Sequence, residues 1–348
     1  MLELGELGLR DILHNFFAGP TAQPHSGGTP EPSIDTAVLL LVFNRPDTTA
    51  RVFEAIRAAR PKRLYVAADG PRADRPGESV RCEQVRAIAT QVDWPCELHT
   101  IFRERNLGCK QGVAQGISWF FDQEEEGIVL EDDVLPLPSF FPYCEEMLER
   151  YRHDARVAMI SGCNHIAHLH RVPESYYFSM LNHIWGWASW RRAWATYDVT
   201  MAAWPSWDAS GGLLRWLDGE RCVARYWRWQ FDRTWRGKVD TWDYQWTFSC
   251  WFTGGLTALP AHNLTLNLGF GPDATHTVNS APDFVRLSPP RELALPLVHP
   301  ADVAADRVAE GLIQRHVLGL THWRCLPRTV KSTLKALVSR LSHAEAKR

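Results

Sequence analysis

The stretch Gly127–Pro136, GIVLEDDVLP, sets three acids directly behind four residues suited to a buried strand. Glu131, Asp132 and Asp133 would repel one another at neutral pH unless a positive charge stands among them. Three apolar runs precede them: TAVLLLVF (36–43), RLYVAAD (63–69) and CELHTIF (96–102). Amphipathic segments lie between: one through Val52, Phe53 and Ile56, started by Asp47-Thr48-Thr49, one through Val85 and Ile88, and one through Val113, Ile117 and Phe120. The acids therefore close the fourth strand of a β-α-β-α-β-α-β series, which predicts a mostly parallel, doubly wound sheet with right-handed crossovers. Ligands of such sheets bind beyond the carboxyl ends of the strands. Asn44-Arg45, Asp69-Gly70, Arg103 to Gly108 and the acid triplet all fall there.

Strand alternation puts Glu131 and Asp133 on one face and Asp132 on the other. Paired carboxylates at a strand end offer a hard oxygen site for Mg²⁺ or Mn²⁺, with diphosphate oxygens completing the shell. Arg103, Asn106 and Lys110 sit in the loop after the third strand, where they could meet a nucleotide or its phosphates; a solvated Lys110 is the plainer alternative. Later in the chain, VDTWDYQWTFSCW (239–251) holds Asp240 and Asp243 ahead of a helical segment. Asp243 can cap that helix, and a carboxylate fixed in this way can also take a proton from an acceptor hydroxyl. NLGFGPDATHT (267–277) reads either as a loop folding over a diphosphate, with Thr275 and His276 approaching it, or as a surface turn.

VLLLVFNRP, AADGP, RNLG, VLEDD and PSFF, in this order and spacing, resemble the metal-dependent GT-A glycosyltransferases. The likeness is to the N-acetylglucosaminyltransferase I type and related bacterial nucleotide-diphospho-sugar transferases, over about residues 36–280. It implies a Rossmann-like GT-A sheet flanked by helices, and inverting transfer from a UDP sugar such as UDP-GlcNAc. It further implies that Asp133 ligates Mn²⁺ and that Glu131 and Asp132 hold ribose and sugar hydroxyls. Asp69 would accept from the nucleobase imide, although a turn in the D-G-P bend is its other reading. Asn44 and Arg45 would lie against the nucleotide, and His276 would be a metal ligand as in some other GT-A enzymes. Asp243, in Trp242-Asp243-Tyr244, matches the family's base more closely than Asp240. No counterpart is present of the histidine that members can place near the base.

The net charge of −2 and pI ≈ 6.7 give no basic field for nucleic acid. Eight scattered cysteines without a C-x-x-C pair predict free thiols in a reducing compartment. The start of the chain lacks a signal-peptide pattern and no apolar run spans a membrane, so a cytoplasmic protein is expected. Thirteen of the 16 tryptophans fall between Trp185 and Trp251. GWASWRRAW (186–194) spaces Trp187, Trp190 and Trp194 as helical core, while an aromatic acceptor platform is the alternative. The expected organisation is a segment and linker (1–35), a catalytic domain (36–290, divided near 135 into nucleotide-sugar and acceptor halves) and a C-terminal extension (291–348). The tail from Arg328 is a basic amphipathic helix candidate, suited either to peripheral contact with an anionic membrane or to packing on protein. Sugar-nucleotide pyrophosphorylase and non-catalytic glycan binding are the competing functions. A pyrophosphorylase would carry a glycine-rich loop after strand one, where LLLVFNRPDTT has no glycine.

Overall fold

In a computed structural model, residues 33–270 and 282–320 are described. The four expected strands are β1 (Val38–Val42), β2 (Arg63–Ala68), β3 (Glu97–Phe102) and β4 (Glu126–Glu131). Between them run α1 (Pro46–Ala59), α2 (Glu78–Ala89) and α3 (Ala114–Gln123). β1 is wholly buried, as its unbroken apolar sequence requires, and pairs in parallel with β2 and β4. β3 extends the sheet as an edge strand, which explains why its residues are largely exposed.

β4 stops at Glu131, and β5 (Val134–Pro136) follows after a two-residue turn. Then come α4 (Phe140–Tyr151), β6 (Val157–Ser161), β7 (Tyr176–Ser179), β8 (Trp187–Trp190) and α5 (Arg191–Trp194). A helical region holds α6 (Trp204–Ala209), α7 (Gly212–Trp216), α8 (Arg221–Trp235) and α9 (Asp243–Thr253), before β9 (Leu256–Pro260) and β10 (Thr265–Asn267). One eight-stranded sheet runs in the order β3-β2-β1-β4-β8-β6-β9-β7. Four of its seven pairings are parallel, and the three antiparallel ones all involve β7 or β8. The α/β architecture with a mostly parallel central sheet is as expected. β5 and β10 form a separate antiparallel pair.

The helix expected across Trp187, Trp190 and Trp194 is instead a strand followed by one helical turn. β8 lies between β4 and β6, so ladder pairing on both edges overrides the helical spacing. Strand alternation sends the two indoles apart. Trp190 Nε1 donates to the Leu148 carbonyl (3.2 Å), whereas Trp187 packs on Trp242, Trp194 and Trp246, with the Trp242 ring stacked at 5.8 Å. The tryptophan enrichment thus builds a core between the sheet and α9. Trp187→Ala is expected to lower the unfolding free energy by about 3–5 kcal/mol, measured by chemical denaturation.

Residues 291–320, expected as part of an extension, pack into this core through Leu293, Leu297, Ala309 and Ile313. Glu310 of α11 (Arg307–Leu312, after the short α10, Asp283–Leu287) is buried and accepts from Ser179 and the Met180 amide. Cys82, Cys96, Cys109, Cys144, Cys163 and Cys250 are free thiols. Cys222 is disulfide-bonded, which corrects the expectation of free thiols throughout. No described helix is long and apolar enough to cross a membrane. The N-terminal segment to residue 32, residues 271–281 with Thr275 and His276, and the basic tail lie outside the described residues.

Candidate active site

The carboxyl ends of β1, β2 and β4 open into a cavity of about 640 Å³, a volume suited to a ligand of nucleotide-sugar size. Val239 to Tyr244, at the start of α9, also line it, as do Ile184, Trp185 and Phe270.

Arg45 is the positive charge among the acids. Its Nη2 meets Asp132 Oδ1 and its Nη1 meets Asp133 Oδ2, each at 2.7 Å. Asp132 is only 2% exposed, and its second oxygen accepts the Phe43 amide at 3.1 Å, so this carboxylate ties the end of β4 to the end of β1. Arg45 thus bridges Asp132 and Asp133 across the turn, while Glu131, the last residue of β4, has Asp133 first and Asp132 second as its acidic neighbours. The strand ends at Glu131, and alternation does not carry through the turn that follows. Burial pushes the Asp132 carboxyl up to about 6 against the pull of Arg45. Glu131 is pushed up to about 8, by burial first and then by Asp133 and Asp132.

Asp133 is further held from the β10 side, where its carbonyl accepts the Leu268 amide at 2.7 Å. A Cβ on Gly269 would stand 2.1 Å from Asp133 Oδ2 and 3.1 Å from Arg45 Nη1, so glycine alone lets this backbone approach the ion pair. Gly269→Ala is expected to displace the Asp133 carboxylate. It should slow turnover on the order of a hundredfold, with little change in thermal stability.

Asp69 braces the loop after β3. Its oxygens accept the amides of Gly70 (2.9 Å), Leu107 (3.0 Å) and Gly108 (3.2 Å), together with Asn106 Nδ2 (3.0 Å). Burial raises its carboxyl despite these donors. Asp69, Asn106 and Arg103 line the cavity; Asn44 and Lys110 do not. The Asn44 amide donates to Glu78 (2.8 Å), and the Lys110 amide donates to Asp240 at 3.3 Å.

Arg72, not singled out in the sequence, belongs to the same wall. Its guanidinium lies 5.4 Å from the Phe43 ring centroid, and its Nε and Nη2 bond the carboxylate of Glu78, which is fully buried. These bonds hold the Glu78 carboxyl at about 2, below its ordinary 4.5. A depressed folded value contributes stability above pH 4.5 that drains as pH falls toward 2. Glu78→Gln is accordingly expected to destabilise by about 1–3 kcal/mol at neutral pH. The difference from wild type should shrink along a titration of unfolding free energy down to pH 2. The signal for Arg72 was present in Asp69-Gly-Pro-Arg72, one turn beyond an acid already placed at the ligand edge.

Asp240 and Asp243 both reach the cavity. Asp243 opens α9, and its Oδ1 accepts the Tyr244 amide at 2.9 Å and the Thr241 hydroxyl, which together fix the carboxylate. Cys109 also lines the cavity, and burial with the charges of Glu131, Asp243 and Asp240 pushes its thiol up to about 12. The two acid groups therefore face one space. Among the described residues no three His, Cys, Asp or Glu side chains group as a metal cage. Asp133, which lines the cavity with its side chain 15% exposed, would offer one carboxylate to a hard cation that takes its remaining ligands from a diphosphate.

No protein-family model and no curated protein matches the chain. Among solved structures, HddC from Yersinia pseudotuberculosis aligns over 45% of this chain and 77% of its own, at 10% identity and TM-score 0.28. A UDP-glucose pyrophosphorylase complexed with UDP-glucose aligns over 43% of this chain and 64% of its own, at 11% identity and TM-score 0.24. Both alignments leave more than half of this chain unmatched.

Proposed function

We propose that the chain is a metal-dependent glycosyltransferase that moves a sugar from a nucleotide-diphosphate sugar, UDP-linked by resemblance, to an acceptor hydroxyl with inversion. The observation that carries this reading is one cavity lined by Arg45, Asp132 and Asp133 together with Asp240 and Asp243. In this reading Asp133 holds Mn²⁺ or Mg²⁺ together with the donor's phosphates. When bound, the ion offsets charge on the departing nucleotide. Glu131 and Asp132 border the ribose and sugar, and Asp69, Arg72 and Phe43 border the base. Asp243 takes the acceptor proton, held in position by Tyr244 and Thr241; Asp240 is the second candidate. The acceptor is a glycan or a lipid-linked saccharide.

Pyrophosphorylase chemistry is the other reading to separate. The loop after β1 does not support it, because LLLVFNRPDTT holds no glycine. A thermal-shift panel of nucleotide sugars, with and without Mn²⁺, tests donor and metal together. A metal-dependent shift with one nucleotide sugar supports transfer. Release of pyrophosphate from a nucleoside triphosphate and a sugar phosphate would replace transfer with the second chemistry.

A further inference from the structure

An ionised carboxylate offers about four lone-pair sites to hydrogen-bond donors. Those of Asp69 are taken. Its Oδ1 accepts the amides of Gly70 and Leu107, and its Oδ2 accepts the Gly108 amide and Asn106 Nδ2 while sharing the amide of Leu107. Gly112 closes over the same oxygen, since a Cβ built there would stand 3.0 Å from Asp69 Oδ2. Asp69 lines the cavity, yet it keeps no acceptor site for the imide N–H of a nucleobase.

The donors from Asn106, Leu107 and Gly108 instead make this carboxylate the anchor of the loop after β3. The backbone agrees with that role. A Cβ on Gly70 would overlap the Arg105 backbone, and the Asn106 amide donates to the Pro71 carbonyl at 3.3 Å. The far end of the loop meets the acids ahead of α9. Gly108 has φ +78°, and a Cβ there would stand 3.0 Å from Asp240 Oδ2. Asp240 Oδ1 accepts the Lys110 amide at 3.3 Å, at the start of the helical turn Cys109–Val113. The next residue, Thr241, donates its hydroxyl to Asp243. Asp240 thus rests on the loop that Asp69 holds, and Asp243 is fixed by the residue after Asp240.

We propose that Asp69 is a positioning residue, which sets the place of Asp240 and Asp243 through the 106–110 loop and leaves the nucleobase to other groups. Uracil, whose N3 carries a hydrogen, and cytosine, whose N3 is an acceptor, are then not told apart at this carboxylate. The link also joins the nucleotide side of the cavity to its candidate base, and a shift of about an ångström there is enough to slow a reaction a hundredfold. The catalytic consequence rests on the glycosyltransferase reading; the strut from the end of β2 to residues 240–243 does not.

The test uses the full-length protein with Asp69→Asn, which keeps the size of the side chain but turns an NH₂ group towards backbone amides. The preference for UDP over CDP, measured by calorimetry with Mn²⁺, is expected to stay as in wild type, whereas a base-reading carboxylate would lose about tenfold or more of it. Hydrogen exchange of the amides of residues 240–244 should become faster. The kcat for transfer should fall on the order of a hundredfold, with the donor KM little changed. Gly108→Ala strains the same joint from its other end, so it should cost less in the Asp69→Asn background than alone. If Asp69→Asn does not fold, Asn106→Ala, which removes one donor, is expected to show the same pattern in weaker form. A selective loss of UDP affinity, or exchange over 240–244 that matches wild type, would overturn the proposal. If no nucleotide sugar supports transfer, the glycosyltransferase reading falls, while exchange over 240–244 still decides the strut.

Discussion

Asp243→Asn is expected to leave donor binding intact and to slow transfer by about 10²–10⁴-fold, the usual cost of removing a general base. The amide keeps the carbonyl oxygen that accepts the Tyr244 amide and the Thr241 hydroxyl, so the start of α9 should be undisturbed. What is lost is the ability to take a proton. Donor affinity by calorimetry and transfer rate in saturating donor separate the two effects. Should Asp240→Asn show the loss instead, the base lies three residues earlier, on the carboxylate that also receives the Lys110 amide. If both variants transfer at the wild-type rate, inversion by a carboxylate base is wrong, and the anomeric configuration of the product decides what replaces it.

Asp133→Ala should abolish metal-dependent donor binding and cut turnover on the order of 10³-fold or more, since several kcal/mol of charge stabilisation depend on the ion it would hold. Its effect on folding should be small. Arg45 retains Asp132, and the Asp133 side chain is partly exposed at 15%. Asp132→Ala makes the informative contrast. It removes a carboxylate that is 2% exposed and leaves both the Phe43 amide and Arg45 without it, at a cost to stability of about 3–5 kcal/mol. Neighbouring acids in one triplet thus separate into a binding residue and a structural one, distinguished by pairing manganese titration with a melting curve. Wild-type manganese binding by Asp133→Ala would remove this residue from the metal role.

Strands β1 to β4 and the helices between them were legible because a parallel sheet leaves its mark as unbroken apolar runs at regular intervals. The ligand edge followed from that order. What the sequence did not reveal was the wiring at that edge. Asp132 and Asp133 share one guanidinium because the strand stops one residue before them, and no periodic pattern marks where a strand stops. Asn44 is drawn to Glu78 rather than to the cavity, and Glu78 reads in the sequence as an ordinary acid at a helix start. β8 reads as helix in the sequence because tryptophans at i, i+3 and i+7 satisfy helical spacing while the pairing with β4 and β6 is non-local. Gly269 carries its meaning only through Asp133, far away in the chain, and so was one of two loop glycines until the fold brought them together. The aspartates 240 and 243 could be found because a cap and an acid-tryptophan cluster are both local signals.

The small sheet of β5 and β10 gives the molecule an order of assembly. β1 to β4 can pair from residues 38–131 alone, while Asp133 waits for Leu268 and Gly269, and β5 waits for residues 265–267. A chain emerging from the ribosome therefore has its nucleotide-side strands long before its cavity is closed, and non-local pairing of this kind is slow. A ligand of the finished cavity can favour only the completed fold, by mass action, and leaves any partly assembled chain unaided.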